Sequence, residues 1–448
     1  MEKLNGGTDL EEQWEQARLI PVVGTGAGSE REQRATSALL AVLSIVRPFS
    51  NAMLGPLGAS KAAAARVDAY IEPPFKTALK TGVRPDGLIR VTYGSQTPFT
   101  ALVEVKTGNN DLVADQLNAY IDIARTEKFD HVITISNEIS PSEGIHPTAG
   151  LKVTKASRVK VTHFSWTRIA ALAVRVRESI GVGDKEQEWV LGELLRYLEH
   201  ASSGALDFDD MGEHWVAVRE SVRNGSVKRS DPGVADIARR WDQLLTYAAM
   251  KLEIQLNETV EAVIPRAQKD DAASRQKAFV KELSETGALS GSLRVPGAIA
   301  ELDIVADLRT RQVSVSSTFR APGDKKARGS MGWLLRQLDD APGRLLIESF
   351  PKGAAHGVAA EISKLREDAT DVLSEMPGDI AKFKLHLIKD LGVNRRNGKS
   401  GGFVESVLAA ISDYYGSVLQ HLVPYQAKAP QVASPSTGPD DPALGSVK

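Results

Sequence analysis

The 448-residue chain contains no cysteine, which excludes disulfide bonds, thiolate zinc sites and cysteine nucleophiles. It also lacks any apolar run long enough to span a membrane. Its acidic N-terminal stretch has no signal-type apolar segment. We therefore expect a cytoplasmic protein that has no membrane partner.

An excess of one charge sign is missing as well. The 55 basic residues nearly balance the 57 acidic ones, and the formal net charge is −2. A nucleic-acid-binding protein with this balance needs local basic patches, because no global field attracts the phosphates. Basic residues near the motif described below provide either such a patch or an ordinary solvated face: Arg84, Arg90, Lys152, Lys155, Arg158 and Lys160.

The most informative segment that is present runs from Arg84 to Lys106. Apolar residues occupy the odd positions from Ile89 to Tyr93 and again from Phe99 to Val105. Alternation of this kind is typical of half-buried strands, each of which buries its odd face. The segment therefore predicts a β-hairpin with one face on a core and one face in water.

The register of this hairpin follows from the same alternation. A turn centred on Ser95 keeps both apolar faces on one side, whereas a slip of one residue would turn one of them to water. This register places Asp86 opposite Glu104. Asp86, Glu104 and Lys106 then share the even, non-core face, where three ionisable groups within a few ångströms form a candidate site.

The two ends of the hairpin carry short motifs. Pro85-Asp86 and Glu104-Val105-Lys106 together resemble the paired motifs of the PD-(D/E)XK nuclease superfamily, whose members have a restriction-endonuclease-like core. The resemblance covers residues 1–180 of this chain. It implies an α/β domain of order αβββαβ and a metal-dependent nuclease activity.

Two further elements of the superfamily have matches in the chain. A helix before the sheet usually carries a glutamate, and the amphipathic segment 29–46 has Glu32 on its apolar stripe. A RecB-like subset has a Gln-x-x-x-Tyr element, which Gln116 and Tyr120 match on the predicted helix 111–125. The resemblance adds these three residues to the catalytic set and implies that Gln116 and Tyr120 position the substrate strand or the metal.

Phosphodiester hydrolysis needs a hard cation that gathers phosphate oxygens and lowers the pKa of an attacking water. Mg²⁺, or Mn²⁺ in its place, binds a few carboxylate oxygens and keeps several waters, and Asp86 with Glu104 supplies such oxygens. Lys106 is placed to orient the water or to offset charge that develops on the phosphate. The resemblance implies the backbone carbonyl of Val105 as a further metal ligand.

Each of these residues also has an ordinary structural explanation. Acidic and lysine side chains are common on the exposed face of a hairpin, and a single Glu-x-Lys motif carries little information. Glu32 lies in a first helical turn, where a glutamate complements the helix dipole. Tyr120 neighbours apolar residues on the buried stripe of its helix and is equally explained as a core residue.

The remaining chain divides by pattern into three parts. Residues 181–260 are predicted to be a helical segment, 261–425 a second α/β domain, and the proline-rich tail 426–448 to be disordered. The second α/β domain includes a predicted helix at 358–373 and repeats the order helix, three strands, helix, strand. It is therefore either a degenerate second core or an unrelated domain that binds a target, a protein partner or a second copy of the chain.

Three other patterns are weaker. The glycines at Gly24, Gly26 and Gly28 lack the spacing of a dinucleotide-binding loop. Gly398-Lys399-Ser400 lacks an upstream glycine at the P-loop distance, so ATP binding is not expected. His163 is more simply a hydrogen-bonded histidine at a strand end than a metal ligand.

The sequence as a whole predicts a multidomain α/β protein whose N-terminal domain is a metal-dependent nuclease acting on DNA. Its C-terminal half is expected to select a target or a partner in restriction, repair or defence. A non-catalytic protein that keeps the nuclease fold for interaction is the competing hypothesis. Cleavage of RNA is a third, because metal-assisted hydrolysis does not itself distinguish the two sugars.

Overall fold

A computed structural model describes residues 14–20, 29–75, 83–108, 110–140, 146–154, 156–205, 208–269, 271–375, 377–397 and 401–426. Within these ranges the chain has a mixed α/β fold with 12 α-helices and two β-sheets. The glycine-rich segment 24–28, the segment 398–400 and the tail after Gln426 lie outside them. What the sequence predicts for those segments stays a prediction.

The first sheet has six strands arranged in chain order. The first four strands pair antiparallel with one another. The fourth strand pairs parallel with the fifth, and the fifth pairs parallel with the sixth. The strands are β1 (Glu15–Gln16), β2 (Arg66–Ile71), β3 (Gly87–Tyr93), β4 (Gln96–Val105), β5 (His131–Ser136) and β6 (Lys160–Ser165). A parallel pair needs a crossover connection, and a helix supplies it between β4 and β5.

The β3–β4 hairpin has the register that the sequence predicts over most of its length. Gly87 pairs with Val103 and Val91 with Phe99. The register shifts by one residue near the turn, where Tyr93 pairs with Gln96. Because the shift is confined to the turn, it leaves the ends of the strands that carry the motifs in the predicted alignment.

The prediction that one face of this hairpin is exposed is wrong. Leu88 and Leu102, on the even face, are fully buried, as are Ile89 and Ala101 on the odd face. The even face packs under the helix that connects β4 and β5. The odd face packs on helices that precede the hairpin in the chain and on helices that follow it. Alternation alone cannot reveal this second cover, because Leu88 and Leu102 are the only two apolar residues that mark the even face.

Five helices pack on the first sheet. They are α1 (Ser29–Ile45), α2 (Arg47–Leu54), α3 (Ala114–Glu127), α4 (Trp166–Arg175) and α5 (Lys185–Glu199). Helix α3 covers the even face of the sheet, whereas α1, α2, α4 and α5 contribute to the core on the odd face. We call this sheet with its five helices the first unit.

The predicted helical segment 181–260 is not a unit of its own, because its helices pack into two different cores. Leu191 and Leu195 of α5 belong to the core of the first unit. The next two helices, α6 (Trp215–Arg223) and α7 (Pro232–Leu256), pack on the second sheet instead. Helix α7 begins with an Asp231 cap, whose side chain accepts a hydrogen bond from the Gly233 N–H.

The second sheet has seven strands in the order β12-β11-β13-β10-β9-β8-β7, all of them paired antiparallel. They are β7 (Glu261–Ala262), β8 (Ala288–Arg294), β9 (Leu302–Asp307), β10 (Gln312–Arg320), β11 (Leu346–Pro351), β12 (Val358–Glu361) and β13 (Ile380–Asp390). Its further helices are α8 (Ala272–Thr286), α9 (Ala327–Leu335), α10 (Ile362–Glu367), α11 (Thr370–Ser374) and α12 (Phe403–Ser417). This sheet with α6–α12 is the second unit.

The second unit is not a degenerate copy of the first core. Its sheet contains no parallel pair among the described strands, whereas β4, β5 and β6 of the first unit are parallel. The predicted helix 358–373 begins instead as strand β12 and continues as the two short helices α10 and α11. Similar element order therefore conceals a different topology, since order along the chain does not specify strand direction.

The two units meet along α4 and α7. Glu253 of α7 is 1% exposed and its carboxylate lies 2.9 Å from the Arg168 guanidinium of α4. Gln243 of α7 donates a hydrogen bond of 3.0 Å to the Ile139 carbonyl, just beyond β5. These contacts hold the middle and the C-terminal part of α7 near the end of the first sheet where the parallel strands terminate.

None of the described helices is by itself long and apolar enough to cross a membrane. The segments Glu30–Ile45 and Arg47–Leu57 meet the length and composition criteria only when taken together, and a bend of 108° separates them.

Candidate active site

Asp86 and Glu104 lie side by side at the edge of the first sheet where β3 begins and β4 ends. The Asp86 carboxylate accepts a hydrogen bond of 2.7 Å from the Val105 N–H, which joins the two motifs directly. The Glu104 side chain is completely buried, and neither of its oxygens accepts a hydrogen bond of ordinary geometry within the described chain. A buried carboxylate without donors is costly, so its surroundings must offer another partner.

Lys106 is that partner. Its Nζ lies 2.6 Å from Glu104 Oε1, and its side chain is only 16% exposed. Burial opposes the charge on the ammonium group, but the carboxylates of Glu104, Asp86 and Glu32 outweigh burial and raise the Lys106 pKa. Lys106 is therefore a protonated hydrogen-bond donor and not a base at neutral pH.

The pKa of Asp86 is higher than the usual pKa of an aspartate. Burial is the main cause that raises its pKa well above the usual value, and the neighbouring Glu104 carboxylate adds to the shift. The Val105 N–H and the Lys106 ammonium act against this rise without cancelling it. Two carboxylates pressed together in this way favour either a shared proton or a bound cation.

The Val105 backbone faces the same carboxylates. The Lys106 N–H donates to the Ile135 carbonyl of β5 at 2.8 Å, and residues alternate along a strand, so the peptide groups of Val105 face β3. On that side the continued register aligns Val105 with Pro85, which has no N–H to donate. The geometry thus leaves the Val105 carbonyl without a ladder donor from β3.

Helix α1 brings a third carboxylate to the group. Glu32 Oε2 lies 3.8 Å from Lys106 Nζ. Its other oxygen accepts hydrogen bonds from the Asn110 side chain at 2.7 Å and, more weakly, from the Thr107 N–H. The neighbouring Glu30 instead pairs with Arg34 on the outer side of the helix. Glu32 is therefore the glutamate of this helix that reaches the motif, and it also holds the loop that follows Lys106.

Gln116 and Tyr120 contact each other and the segment before Asp86. The Gln116 side-chain amide donates to the Tyr120 hydroxyl at 3.0 Å, and this hydroxyl donates to the Arg84 carbonyl at 2.8 Å. Tyr120 is fully buried, and burial, followed by the nearby Glu104 and Asp86 carboxylates, raises its pKa. The phenol proton is thus committed to the backbone, and Tyr120 anchors the strand that carries Asp86. A role of either residue toward substrate stays a prediction.

Sequence reasoning missed Glu72, at the end of β2. Glu72 has a left-handed backbone with φ of 41°, which is unusual for a residue other than glycine. Its N–H donates to the Asp86 carbonyl at 3.0 Å, and its carboxylate accepts from Gln33 and pairs with Arg84. A single glutamate after a strand does not reveal in the sequence that it contacts the segment around Asp86, because this contact depends on the backbone conformation of Glu72.

The polar row on this face of the sheet continues past Glu104. In the parallel register Glu104 is aligned with Thr134, and Thr134 with His163. The Thr134 hydroxyl lies 2.8 Å from His146 Nε2 and 3.0 Å from His163 Nδ1, while His163 Nε2 lies 2.8 Å from the Glu138 carbonyl. The prediction that His163 is a hydrogen-bonded strand-end histidine is confirmed.

These contacts determine the tautomers of both histidines. His163 must donate from Nε2 to the Glu138 carbonyl, so its Nδ1 accepts the Thr134 hydroxyl proton. His146 Nδ1 accepts from the Thr148 N–H at 3.0 Å, so its Nε2 donates to Thr134. Burial lowers the pKa of His146 to about 4 and that of His163 to about 3. Both rings are therefore neutral donors and acceptors at neutral pH.

The residues present fit a hard divalent cation. Among the described residues no three His, Cys, Asp or Glu side chains cluster closely enough to form a complete metal cage. Magnesium needs no such cage, since one or two carboxylates with several waters suffice. Asp86 and Glu104 supply two carboxylates, and Glu104 Oε2, which has no hydrogen-bond donor among the described residues, is available to a cation.

No protein-family model, curated protein or solved structure matches this chain.

Proposed function

We propose that this protein is a metal-dependent nuclease that hydrolyses phosphodiester bonds in DNA at the Asp86–Glu104–Lys106 site. The observation that supports this most strongly is the convergence of Asp86, Glu104, Lys106 and Glu32 from three different elements. Keeping the buried Glu104 carboxylate together with two half-buried carboxylates and a half-buried ammonium group costs stability. Such a cost is explained when the groups serve chemistry at that place.

The resemblance to the PD-(D/E)XK superfamily supports the same proposal. From α1 to β5 the first unit contains two helices, three strands, a helix and a strand, with the two motifs on neighbouring strands at one edge of the sheet. The metal-binding residues in this proposal are Asp86, Glu104 and the Val105 carbonyl. A bound Mg²⁺ or Mn²⁺ would lower the pKa of a water and neutralise charge on the phosphate.

The side chains around these ligands have separate tasks. The Val105 N–H fixes the Asp86 carboxylate, and α1 directs Glu32 toward the Lys106 ammonium group. Lys106, protonated because of its acidic neighbours, donates to the attacking water or to a phosphate oxygen. Tyr120 holds the Arg84 carbonyl and thereby the start of β3. The task of each group follows from its hydrogen-bond capacity and charge.

A nuclease assay tests the proposal. The full chain is incubated with single-stranded, linear and supercoiled DNA and with RNA, in Mg²⁺ or Mn²⁺ and in EDTA, beside Asp86→Asn. Asp122→Asn is the matched control, because Asp122 is an exposed carboxylate on α3 that pairs only with Arg125. We expect metal-dependent DNA cleavage by the wild type and by the control, and none by Asp86→Asn.

Each other outcome is informative. Equal cleavage by Asp86→Asn and the wild type would place the chemistry elsewhere. Cleavage of RNA alone would change the substrate class and keep the site. Absence of cleavage by the wild type on every substrate would favour the non-catalytic interaction protein.

A further inference from the structure

Four arginines of the second unit gather where the two units meet, and we call them the junction arginines. Arg239 and Arg240 lie on α7, and Arg395 and Arg396 lie in the chain after β13. Asp210 accepts hydrogen bonds from Arg395 at 2.6 and 2.8 Å and from Arg396 at 2.8 Å. Burial opposes ionisation of Asp210, but these bonds prevail and lower its pKa to about 2.

Arg240 is the unusual member of this group. It is partly buried, its Nε is fully buried, and the guanidinium makes no hydrogen bond or ion pair with the described residues. Burial is the main cause that lowers its pKa, and the adjacent Arg239 adds to the effect. The carboxylates of Asp236, Asp210 and Asp111 oppose this shift without cancelling it. A partly buried guanidinium without a directly bonded anion loses hydration that no hydrogen bond replaces. The arrangement is explained when a ligand supplies the anion.

Two of the acidic residues near the cluster form ion pairs with it. Asp210 contacts Arg395 and Arg396, and Asp236 contacts Arg239 at 2.6 Å. Asp236, Asp210 and Asp111 also act electrostatically on Arg240, but among the described residues none of them forms an ion pair with it. Arg396 is 63% exposed and Arg239 43% exposed, so a ligand can reach the cluster from solvent. The patch is local, since the whole chain has a net charge of −2.

The junction arginines lie beside the loop that follows Lys106. Asp111 of this loop is close enough to act electrostatically on Arg240, and Arg239 acts in the same way on Glu138 at the end of β5. Gln243, one turn after Arg239 on α7, donates to the Ile139 carbonyl. The cluster and the candidate site therefore lie along the same edge of the first sheet.

The loop that follows Lys106 also contacts the chain between α5 and α6. The Gly108 N–H donates to the Gly204 carbonyl at 2.8 Å, and the Asn137 side chain donates to both glycine carbonyls. Gly204 has φ of 78°, and a Cβ there would lie 2.8 Å from the Thr107 side chain. Only glycine fits at this position, and it fixes the chain that leads to Asp210 against the active-site loop.

We propose that the junction arginines bind backbone phosphates of the DNA whose neighbouring phosphodiester is cleaved at Glu104 and Lys106. This inference rests on the proposed nuclease function and assigns the second unit a part in it. Guanidinium groups suit the task, because their planar donors match phosphate oxygens in pairs. DNA presents such groups at regular, short intervals along each strand. In this role Arg240 gains the anion that the protein itself does not provide.

The test is DNA binding by the full chain in EDTA, measured by fluorescence anisotropy with duplex DNA over a range of salt concentrations. Variants are Arg240→Gln and Arg396→Gln, with Arg294→Gln as the matched control. Arg294 is an exposed arginine of β8 that pairs with Glu301, so this control removes the same charge outside the cluster. Arg396 is mostly exposed, so its variant keeps the test valid if Arg240→Gln does not fold.

We expect Arg240→Gln and Arg396→Gln each to weaken binding and to reduce the slope of log K against log salt by about 1, as loss of one phosphate contact does. Arg294→Gln should match the wild type in both measurements. The inference is wrong if the cluster variants behave like Arg294→Gln, or if the wild type does not bind DNA. Cluster-dependent binding by a protein that fails to cut in Mg²⁺ or Mn²⁺ would support this inference while refuting the proposed nuclease function.

Discussion

Acidic residues on the strands of the two sheets differ in burial and in the hydrogen bonds that they accept. In the second sheet, Asp303 accepts a hydrogen bond of 2.7 Å from Ser292, and Asp307 accepts from the N–H groups of Arg309 and Thr310. In the first sheet, Glu104 is completely buried, its Oε1 contacts the Lys106 ammonium group at 2.6 Å, and its Oε2 has no hydrogen-bond donor among the described residues. Acidic residues on strands are therefore not equivalent. A carboxylate that the fold satisfies has a structural explanation, and a buried one that it leaves unsatisfied indicates a ligand.

The largest expected difference between the sheets is in catalysis. Lys106→Ala should reduce DNA cleavage by about a hundredfold to ten-thousandfold, because it removes the donor next to the reacting groups. Glu301→Gln, which changes an acidic residue at the start of β9, should leave the cleavage rate unchanged. Initial rates in Mn²⁺ on supercoiled DNA measure both. A comparable loss in the two variants would abolish the contrast between the sheets.

Cation binding should separate the sheets without any catalytic readout. If Asp86 and Glu104 hold a divalent cation, a concentration of Mn²⁺ a hundredfold above its Kd raises the free energy of unfolding by about 2.7 kcal/mol. The gain should be present in Glu301→Gln and absent in Asp86→Asn. Urea unfolding in Mn²⁺ and in EDTA measures it. An equal gain in both variants would place the cation outside the candidate site.

We expect the half-buried histidines His146 and His163, which both contact Thr134, to make the protein less stable in acid. Their pKa values in the fold, about 4 for His146 and about 3 for His163, are below the usual value of 6.5. Below pH 6.5 the unfolded chain therefore binds protons that the fold does not. The free energy of unfolding should fall by about 1.4 kcal/mol per pH unit for each histidine until its pKa in the fold is reached.

His163→Gln isolates this effect. Asp86 has a raised pKa and contributes a slope of opposite sign above its usual value of 3.8, so the absolute stability contains both effects. The difference between wild type and variant contains mainly the histidine contribution. Urea unfolding between pH 4 and pH 7 should show a flatter dependence for His163→Gln. Parallel curves would show that His163 does not resist protonation in the fold.

The smallest expected effect compares one buried tyrosine from each unit. Tyr120 donates to the Arg84 carbonyl at 2.8 Å, and Tyr414 donates to the Leu385 carbonyl at 3.3 Å. Tyr120→Phe and Tyr414→Phe should each lower the free energy of unfolding by about 1 kcal/mol, the usual cost of one hydrogen bond. Only Tyr120→Phe should also slow cleavage, since only Tyr120 holds the segment before Asp86. If both variants slowed cleavage equally, the hydrogen bond from Tyr120 to the Arg84 carbonyl would have no particular role at the candidate site.

Local pattern explains which parts of the fold were predictable. The alternation between Ile89 and Val105 specifies both strands of the hairpin and the alignment of Asp86 with Glu104, because a strand repeats every two residues. The helix stripe likewise selects Glu32 over Glu30, and the structure places Glu32 near Lys106 and Glu30 on Arg34. These features depend on neighbours in sequence.

Features that depend on distant packing were not predictable. The cover on the even face of the hairpin comes from α3, and the strand directions of the second sheet come from connections that element order does not reveal. Strand β12 was predicted to be helical, and pairing with β11 overrides its local preference. The left-handed backbone of Glu72 was not predictable either, because a glutamate at this position does not indicate a positive φ.

The sequence by itself determined the hairpin, its register and the order of the motifs, because each follows from spacing along one strand or one helix. Tertiary structure alone decided that Glu104 is buried beside Lys106 with no donor for its Oε2 among the described residues, that Lys106 is held among three carboxylates, and that Arg240 forms no ion pair with a described residue. Burial and charge pairing depend on which distant segments meet, so residue spacing alone does not specify them. The arrangement of the candidate site therefore depends on packing that joins α1, β3 and β4.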